Sequence, residues 1–300
     1  MLDTARRLDD FIEEFTRNRA DAMQRSIDRV TVKAVGTAKA LDLLAESGIG
    51  VEGAIPLACH RGHVLIFAGW NHPDRTVPPA KLRTYRALLA QTRITKKVPN
   101  RMEDRARDAG LQVNLLAKKD DQTSRRDEVG RFAEAFGAFG LGETDIEQLL
   151  VSANTTIAYL TNPLGAVASA VVAERVTIDL EGHGSLVLVE ITEAITRVEF
   201  RGQGLYRNLS GYIVDHIRFG EAGPLHAVFG ECNLSSPGVI YAARRNGRRF
   251  VTDDAELYGG PHRPDLTFGI LCQNFSVSDG VESRAYNDFA LSYVDLTNCA

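Results

Sequence analysis

Residues 186–217 read LVLVEITEAITRVEFRGQGLYRNLSGYIVDHI, and the order of patterns within them frames the rest of the chain. The apolar, β-branched run Leu186 to Thr196 predicts a strand. A short basic loop follows, Arg201-Gly202-Gln203-Gly204. Beyond it Leu205, Leu209, Tyr212, Ile213, His216 and Ile217 share one helical face, while Arg207, Asn208, Asp215 and Arg218 fall largely elsewhere. Glycines let the backbone approach a ligand closely. The first amides of the helix lack intrahelical partners, so an anion of diphosphate size can satisfy them and the helix dipole together.

Outward from this stretch, the 300 residues allow two domains, or one with a sizeable extension, and 44% hydrophobic with 25% charged residues is an ordinary globular composition. A formal charge of −4 gives no reason to expect a nucleic-acid partner. No apolar run reaches the roughly 18 residues needed to span a bilayer. The start MLDTARRLDDFIEEF is an acidic amphipathic pattern without a secretory signature. The four scattered cysteines, Cys59, Cys232, Cys272 and Cys299, fit thiols in a reducing compartment better than a disulfide frame or zinc site. The expectation is a cytoplasmic protein without membrane contact or metal.

Three segments are expected. Residues 1–79 form a small α/β unit: an opening helix, a strand through Val30, Val32 and Ala34, a helix Ala38 to Ala45 stopped by Gly48 and Gly50, and a hairpin of Ala54–Cys59 and Val64–Ala68. Residues 80–126, rich in Arg, Lys and Asp, read as a charged helical connector. Residues 127–300 begin with helices at Val129–Phe139 and Glu143–Val151. Strands follow at Thr155–Leu160, Val167–Ile178 and Leu186–Thr196. The central helix then leads to a strand at His226–Gly230, a helix at Ser235–Asn246, and strands near Leu266–Leu271 and Asn287–Val294.

The turn Arg201-Gly202-Gln203-Gly204-Leu205-Tyr206 resembles the coenzyme A signature of the GNAT superfamily of acyl-CoA N-acyltransferases, Arg/Gln-x-x-Gly-x-Gly/Ala, with Tyr206 where a small residue is usual. Three places are similar to the β-lysine N-acetyltransferase family: Glu190-Ile191-Thr192-Glu193 ahead of the turn, Asn233-Leu234-Ser235-Ser236-Pro237-Gly238 before Tyr241, and Ser47 to Pro56 with its hairpin. The resemblance implies an α/β GNAT fold, with a mixed, mostly antiparallel central sheet flanked by helices and a smaller N-terminal α/β unit. It implies transfer of an acetyl group from acetyl-CoA to the primary amine of a lysine-like amino acid or related small metabolite. A coenzyme-binding scaffold with a decayed site, a donor carried on acyl-carrier protein, and a homodimer are left open.

Such transfer needs a deprotonated amine, a stabilised oxyanion and a proton for the departing thiolate. Glu190 and Glu193 interrupt an apolar strand, which is costly unless they are partnered or functional. They lie three apart on a strand, so they point to opposite faces and only one looks into a given cleft, where it orders the amine or acts as its base. The structural alternative pairs Glu190 with an arginine and leaves Glu193 in solvent. By the same resemblance Tyr241 is the acid that protonates the thiolate; the structural alternative is a core tyrosine. Asn233 caps the following helix or binds the pantetheine arm, and by resemblance the main chain at Ala194 and Ile195 holds the thioester carbonyl and pantetheine. Arg244, Arg245, Arg248 and Arg249 suit a helix stop at Asn246-Gly247. His60 and His63 read as a surface hairpin rather than a metal site. Asp253, Asp254 and Glu256 read as an exposed acidic loop.

Overall fold

The computed structural model describes residues 5–25, 29–57, 63–71, 77–93, 96–116, 128–137, 142–180, 184–219, 225–253, 270–274 and 286–295. The chain opens with α1 (Ala5–Gln24), β1 (Arg29–Thr37), α2 (Ala38–Glu46), β2 (Gly50–Pro56) and β3 (His63–Asn71). Helix α2 ends where the sequence places its stop. Gly48 sits at φ +73°, and the Ile49 N–H returns to Leu44 O at 3.0 Å. The three strands form an antiparallel sheet in the order β1-β3-β2, so the expected hairpin gains β1 on its far edge.

A larger sheet holds β4 (Gln112–Leu116), β5 (Thr155–Thr161), β6 (Val167–Leu180), β7 (Gly184–Thr196), β8 (Ala227–Asn233), β10 (Ile270–Asn274) and β11 (Tyr286–Asp295), with the two-residue β9 (Arg249–Phe250) paired to β11. Its order is β10-β11-β8-β7-β6-β5-β4. Every neighbouring pair is antiparallel except β7 and β8, which are parallel and joined by α7 (Leu205–Phe219). The expected mixed, mostly antiparallel sheet flanked by helices is therefore present. A parallel pair needs a crossover, and α7 is that crossover.

Strand alternation sorts the apolar residues onto two faces. On one face α3 (Pro79–Thr92), α4 (Met102–Asp108), α7 and α8 (Pro237–Arg245) cover residues such as Val171, Val189, Ile191, Val228 and Cys232. The other face has two covers. Helices α5 (Val129–Phe136) and α6 (Glu143–Val151) bury Val172 and Ile195, while the small sheet packs on Val176, Leu188 and Phe229. Phe67 of β3 meets Phe229 edge-on at 5.7 Å between ring centres, which joins the two sheets into one core.

The stretch 80–126 differs from its reading as a helical connector. It supplies α3 and α4, and in addition β4, the edge strand paired with β5 from Gln112↔Thr161 to Leu116↔Ile157. Met102 and Ala106 of α4 are buried against α7, and Leu82, Tyr85 and Leu89 of α3 against α8. On α3 and α4 the charged residues lie on the outer faces, away from these buried apolar ones.

Candidate active site at the divergence of two parallel strands

The pairing of β7 with β8 runs from Leu188↔Ala227 to Ile191↔Gly230 and stops. Both strands continue, β7 to Thr196 and β8 to Asn233, each held on its outer side by β6 or β11. The two therefore splay apart. Gly230 makes the last rung: a Cβ there would lie 2.7 Å from Ile191 O.

On its other edge β7 carries a bulge. Val171 pairs with Ala194 and Ala173 with Ile191, so Thr192 and Glu193 together oppose the single residue Val172. The Ile195 carbonyl accepts from Ser169 Oγ at 2.8 Å, and the Arg197 N–H donates to Ala168 O at 3.0 Å, both toward β6. By alternation Ala194 and Thr196 turn their main-chain groups toward the opening. Of the two expected main-chain ligands, Ala194 thus faces the splay and Ile195 does not. Thr192 Oγ1 is buried in the bulge with no partner among the described residues.

In the turn after β7, Gly202 sits at φ +80° and Gly204 at φ +73°, the left-handed region that glycine adopts freely. Arg201, Gly202, Gln203 and Gly204 are exposed, and the position of a Cβ on Gly202 is open space. The first α7 bond runs from Asn208 N–H to Gly204 O at 3.2 Å, which leaves the amides of Leu205, Tyr206 and Arg207 without intrahelical acceptors. Behind the turn stands buried Asn208, which the sequence reading placed largely off the buried face. Its Nδ2 donates to Gly204 O at 2.9 Å, and its Oδ1 accepts the Arg101 N–H at 3.0 Å and the Arg207 guanidinium. Arg207 also donates to Val98 O and Pro99 O, at 3.1 and 3.0 Å, so the loop before α4 braces the turn. Arg201 Nε holds Thr196 O at 3.0 Å. The Leu205 side chain anchors the helix in the core, and the Tyr206 ring packs inward too. Burial pushes the Tyr206 phenol up to about 12, with Cys232 adding to the rise and Arg248 opposing it. The bulky residue at this position therefore does not close the exposed side of the turn.

The bulge corrects the expectation that Glu190 and Glu193 face apart. The extra residue resets the alternation, and both join Glu174 of β6, the cross-strand partner of Glu190, on the face with two covers. Glu190 is ion-paired to Lys33 of β1, not to an arginine, and the Lys33 ammonium lies 5.8 and 5.2 Å from the ring centres of Phe67 and Phe229. Burial and Glu190 raise the Glu174 carboxyl, which Lys33 partly offsets. Burial first, and Glu174 second, push Glu193 up to about 7. No basic side chain among the described residues pairs with Glu193. The three carboxylates lie on the seam between the small sheet and the α5–α6 layer.

Past β8, Asn233 Oδ1 accepts the Ser235 N–H at 2.8 Å and Asn233 O accepts the Ser236 N–H at 3.1 Å, which shapes the turn into α8 without capping the helix itself. Tyr241 is 41% exposed, so it is not core. The end of α8 differs from a solvated cationic terminus. Arg244 is buried against Asp253, with Nη2 to Asp253 Oδ1 at 2.9 Å, and its guanidinium lies 4.6 Å from the Phe250 ring centre. Asp253 is accordingly an internal partner and not part of an exposed loop. His60, Asp254 and Glu256 lie outside the described residues.

No protein-family model matches the chain, and no curated protein matches it. Solved structures do resemble it. Arabidopsis thaliana NAA60 in complex with acetyl-CoA is 9% identical over 63% of this chain and 99% of its own, with a TM-score of 0.45. An N-acetyltransferase from Staphylococcus aureus Mu50 is 10% identical over 62% and 99%, with a TM-score of 0.42. An acetyltransferase of the GNAT family from Streptococcus pneumoniae is 12% identical over the same shares, with a TM-score of 0.38. No helix among the described residues is long and apolar enough to cross a membrane.

Proposed function

We propose that this chain is a cytoplasmic N-acetyltransferase of the GNAT type, which moves the acetyl group of acetyl-CoA to the primary amine of a small cationic metabolite such as a lysine-like amino acid. The observation that carries this reading is the splay of β7 and β8 beyond the Ile191–Gly230 rung, which opens directly beside a glycine turn with free helical amides. A diphosphate fits the exposed turn Arg201 to Tyr206. A pantetheine arm, which carries amide donors and acceptors of its own, fits between the edges of β7 and β8 that are unpaired among the described residues, where Ala194 offers its main chain and Thr192 Oγ1 lacks a described partner.

Each residue then has a task. The acidic seam attracts and orients an ammonium group, which favours a cationic acceptor. Glu193, poised at about 7, takes the amine proton as nitrogen bonds to the thioester carbon. Glu190, neutralised by Lys33, keeps the site from carrying three uncompensated charges. The Ala194 main chain binds the acyl carbonyl side of the arm. Tyr241, whose accessible phenol carries an O–H donor, returns a proton to the departing sulfur.

The test is a thiol-release assay with acetyl-CoA and a panel of diamines and basic amino acids. Turnover with a cationic amine supports the reading. Binding of acetyl-CoA without turnover of any amine points instead to a coenzyme-binding scaffold, and turnover only from a carrier-protein thioester points to a different donor.

A further inference from the structure

Arg248, between α8 and β9, is 4% exposed, yet no carboxylate pairs with it among the described residues. Its Nη1 and Nη2 donate to Ser292 Oγ and Ser210 Oγ, both at 3.4 Å. Two neutral hydroxyls at long range are poor compensation for a buried cation. Arg244 shows the contrast, since it is equally buried but paired with Asp253.

The described groups around Arg248 do not supply the missing charge. Tyr206 of α7 and Cys232 of β8 are near, and burial raises both, so both are neutral at physiological pH. Ser210 and Ser292 do not ionise there. Glu231 follows Gly230 on β8 and points to the opposite face. The position of the guanidinium is specific: a Cβ on Gly230 would lie 3.2 Å from Arg248 Nη1, so the cation stands directly behind the last rung, at the root of the splay.

Resting on the acyltransferase reading above, we propose that Arg248 is the counter-charge for the coenzyme's sulfur as it departs. An arm whose diphosphate sits at Gly202–Tyr206 runs back along β7 from Thr196 toward Ile191. The five steps between those two residues span about 16 Å, the reach of an extended pantetheine, and the closed Ile191–Gly230 rung sets where its sulfur end stops. When the amine nitrogen has bonded to the thioester carbon and the C–S bond breaks, the bonding pair stays on sulfur. The amine proton goes to Glu193 on the opposite face. Sulfur keeps its negative charge beside Arg248 until a proton arrives from Tyr241. Gly230 has no side chain to stand between them.

The experiment compares CoA with desulfo-CoA, in which the thiol is replaced by hydrogen, by equilibrium titration across neutral to alkaline pH. It uses the unaltered protein, Arg248→Met and Arg248→Lys. A free thiol ionises near about 8.5, and a bound thiol shifted down by one unit gains about tenfold in affinity once ionised. In the unaltered protein the preference for CoA over desulfo-CoA should rise with pH to about tenfold. It should vanish in Arg248→Met and persist in part in Arg248→Lys, with desulfo-CoA affinity the same in all three. A preference that is flat with pH in the unaltered protein overturns the proposal, and that arm decides the matter even where a variant does not fold. Failure of the unaltered protein to bind either ligand overturns the acyltransferase reading itself, and this proposal with it.

Discussion

Replacing Glu193 with glutamine separates function from stability in a way that follows directly from its surroundings. Its carboxyl is raised from 4.5 to about 7 by burial and by Glu174. A folded-state value above the unfolded one means that ionising the group costs more in the folded chain. That cost is fully present above pH 7, shrinks as pH falls through the interval, and is gone below about 4.5, where both states are protonated. At 1.36 kcal/mol per unit it amounts to about 3 kcal/mol. Glu193→Gln removes the charge and keeps the shape. Urea unfolding at pH 8 should show the variant more stable by about 3 kcal/mol, with the difference lost near pH 4.5. In the same protein kcat/KM should fall by about 10²–10⁴. A variant no more stable than the parent at pH 8, or an advantage that persists unchanged to pH 4.5, would refute the reasoning.

Other substitutions probe other parts. Gly202→Ala forces a side chain into φ +80°, at about 1–2 kcal/mol, and should reduce acetyl-CoA affinity measured by calorimetry while the far-UV spectrum is preserved; an unchanged affinity contradicts the cradle. Tyr241→Phe touches an exposed phenol, so the melting temperature should hold while kcat drops by about 10²-fold, and an unchanged kcat removes Tyr241 from the reaction. Burial alone would raise the Asp253 carboxyl, but bonds from Arg244 and the Phe250 N–H, with the charges of Arg244 and Arg93, hold it below the usual range. Its stabilisation is present above the ordinary carboxylate value and lost as pH falls through the depressed one. Asp253→Asn should therefore cost about 3–5 kcal/mol at pH 7 in denaturant unfolding, a loss that shrinks in acid.

The sequence displayed those features that depend on neighbouring residues. The strand, glycine turn and helix of residues 186–217 were legible because the apolar period changes from two to 3.6 across Arg201–Gly204. Strand β4 was not, since Gln112-Val113-Asn114-Leu115-Leu116 is short, half-exposed at an edge, and set in a charged segment. The bulge at Thr192–Glu193 leaves no mark in the sequence, because alternation read from residue types assumes an unbroken ladder. Glu193 was thus a candidate, but its position beside Glu174 was invisible. Lys33 and Glu190 lie 157 residues apart, and only sheet packing joins them. Asn208 carried a weak signal, a polar residue one turn into the helix after a glycine, which is where a side chain can return to the turn's own carbonyl. Arg248 carried none: among the two arginine pairs that flank Asn246-Gly247, burial is decided by tertiary packing alone.

The central claim is tested most directly by a crystal structure of the protein with acetyl-CoA. The diphosphate is expected within hydrogen-bond distance of the Gly202–Tyr206 amides, with the pantetheine arm lying between residues 192–196 of β7 and 231–233 of β8. Coenzyme bound elsewhere on the surface, with those two strand edges bridged by protein groups instead, would contradict it.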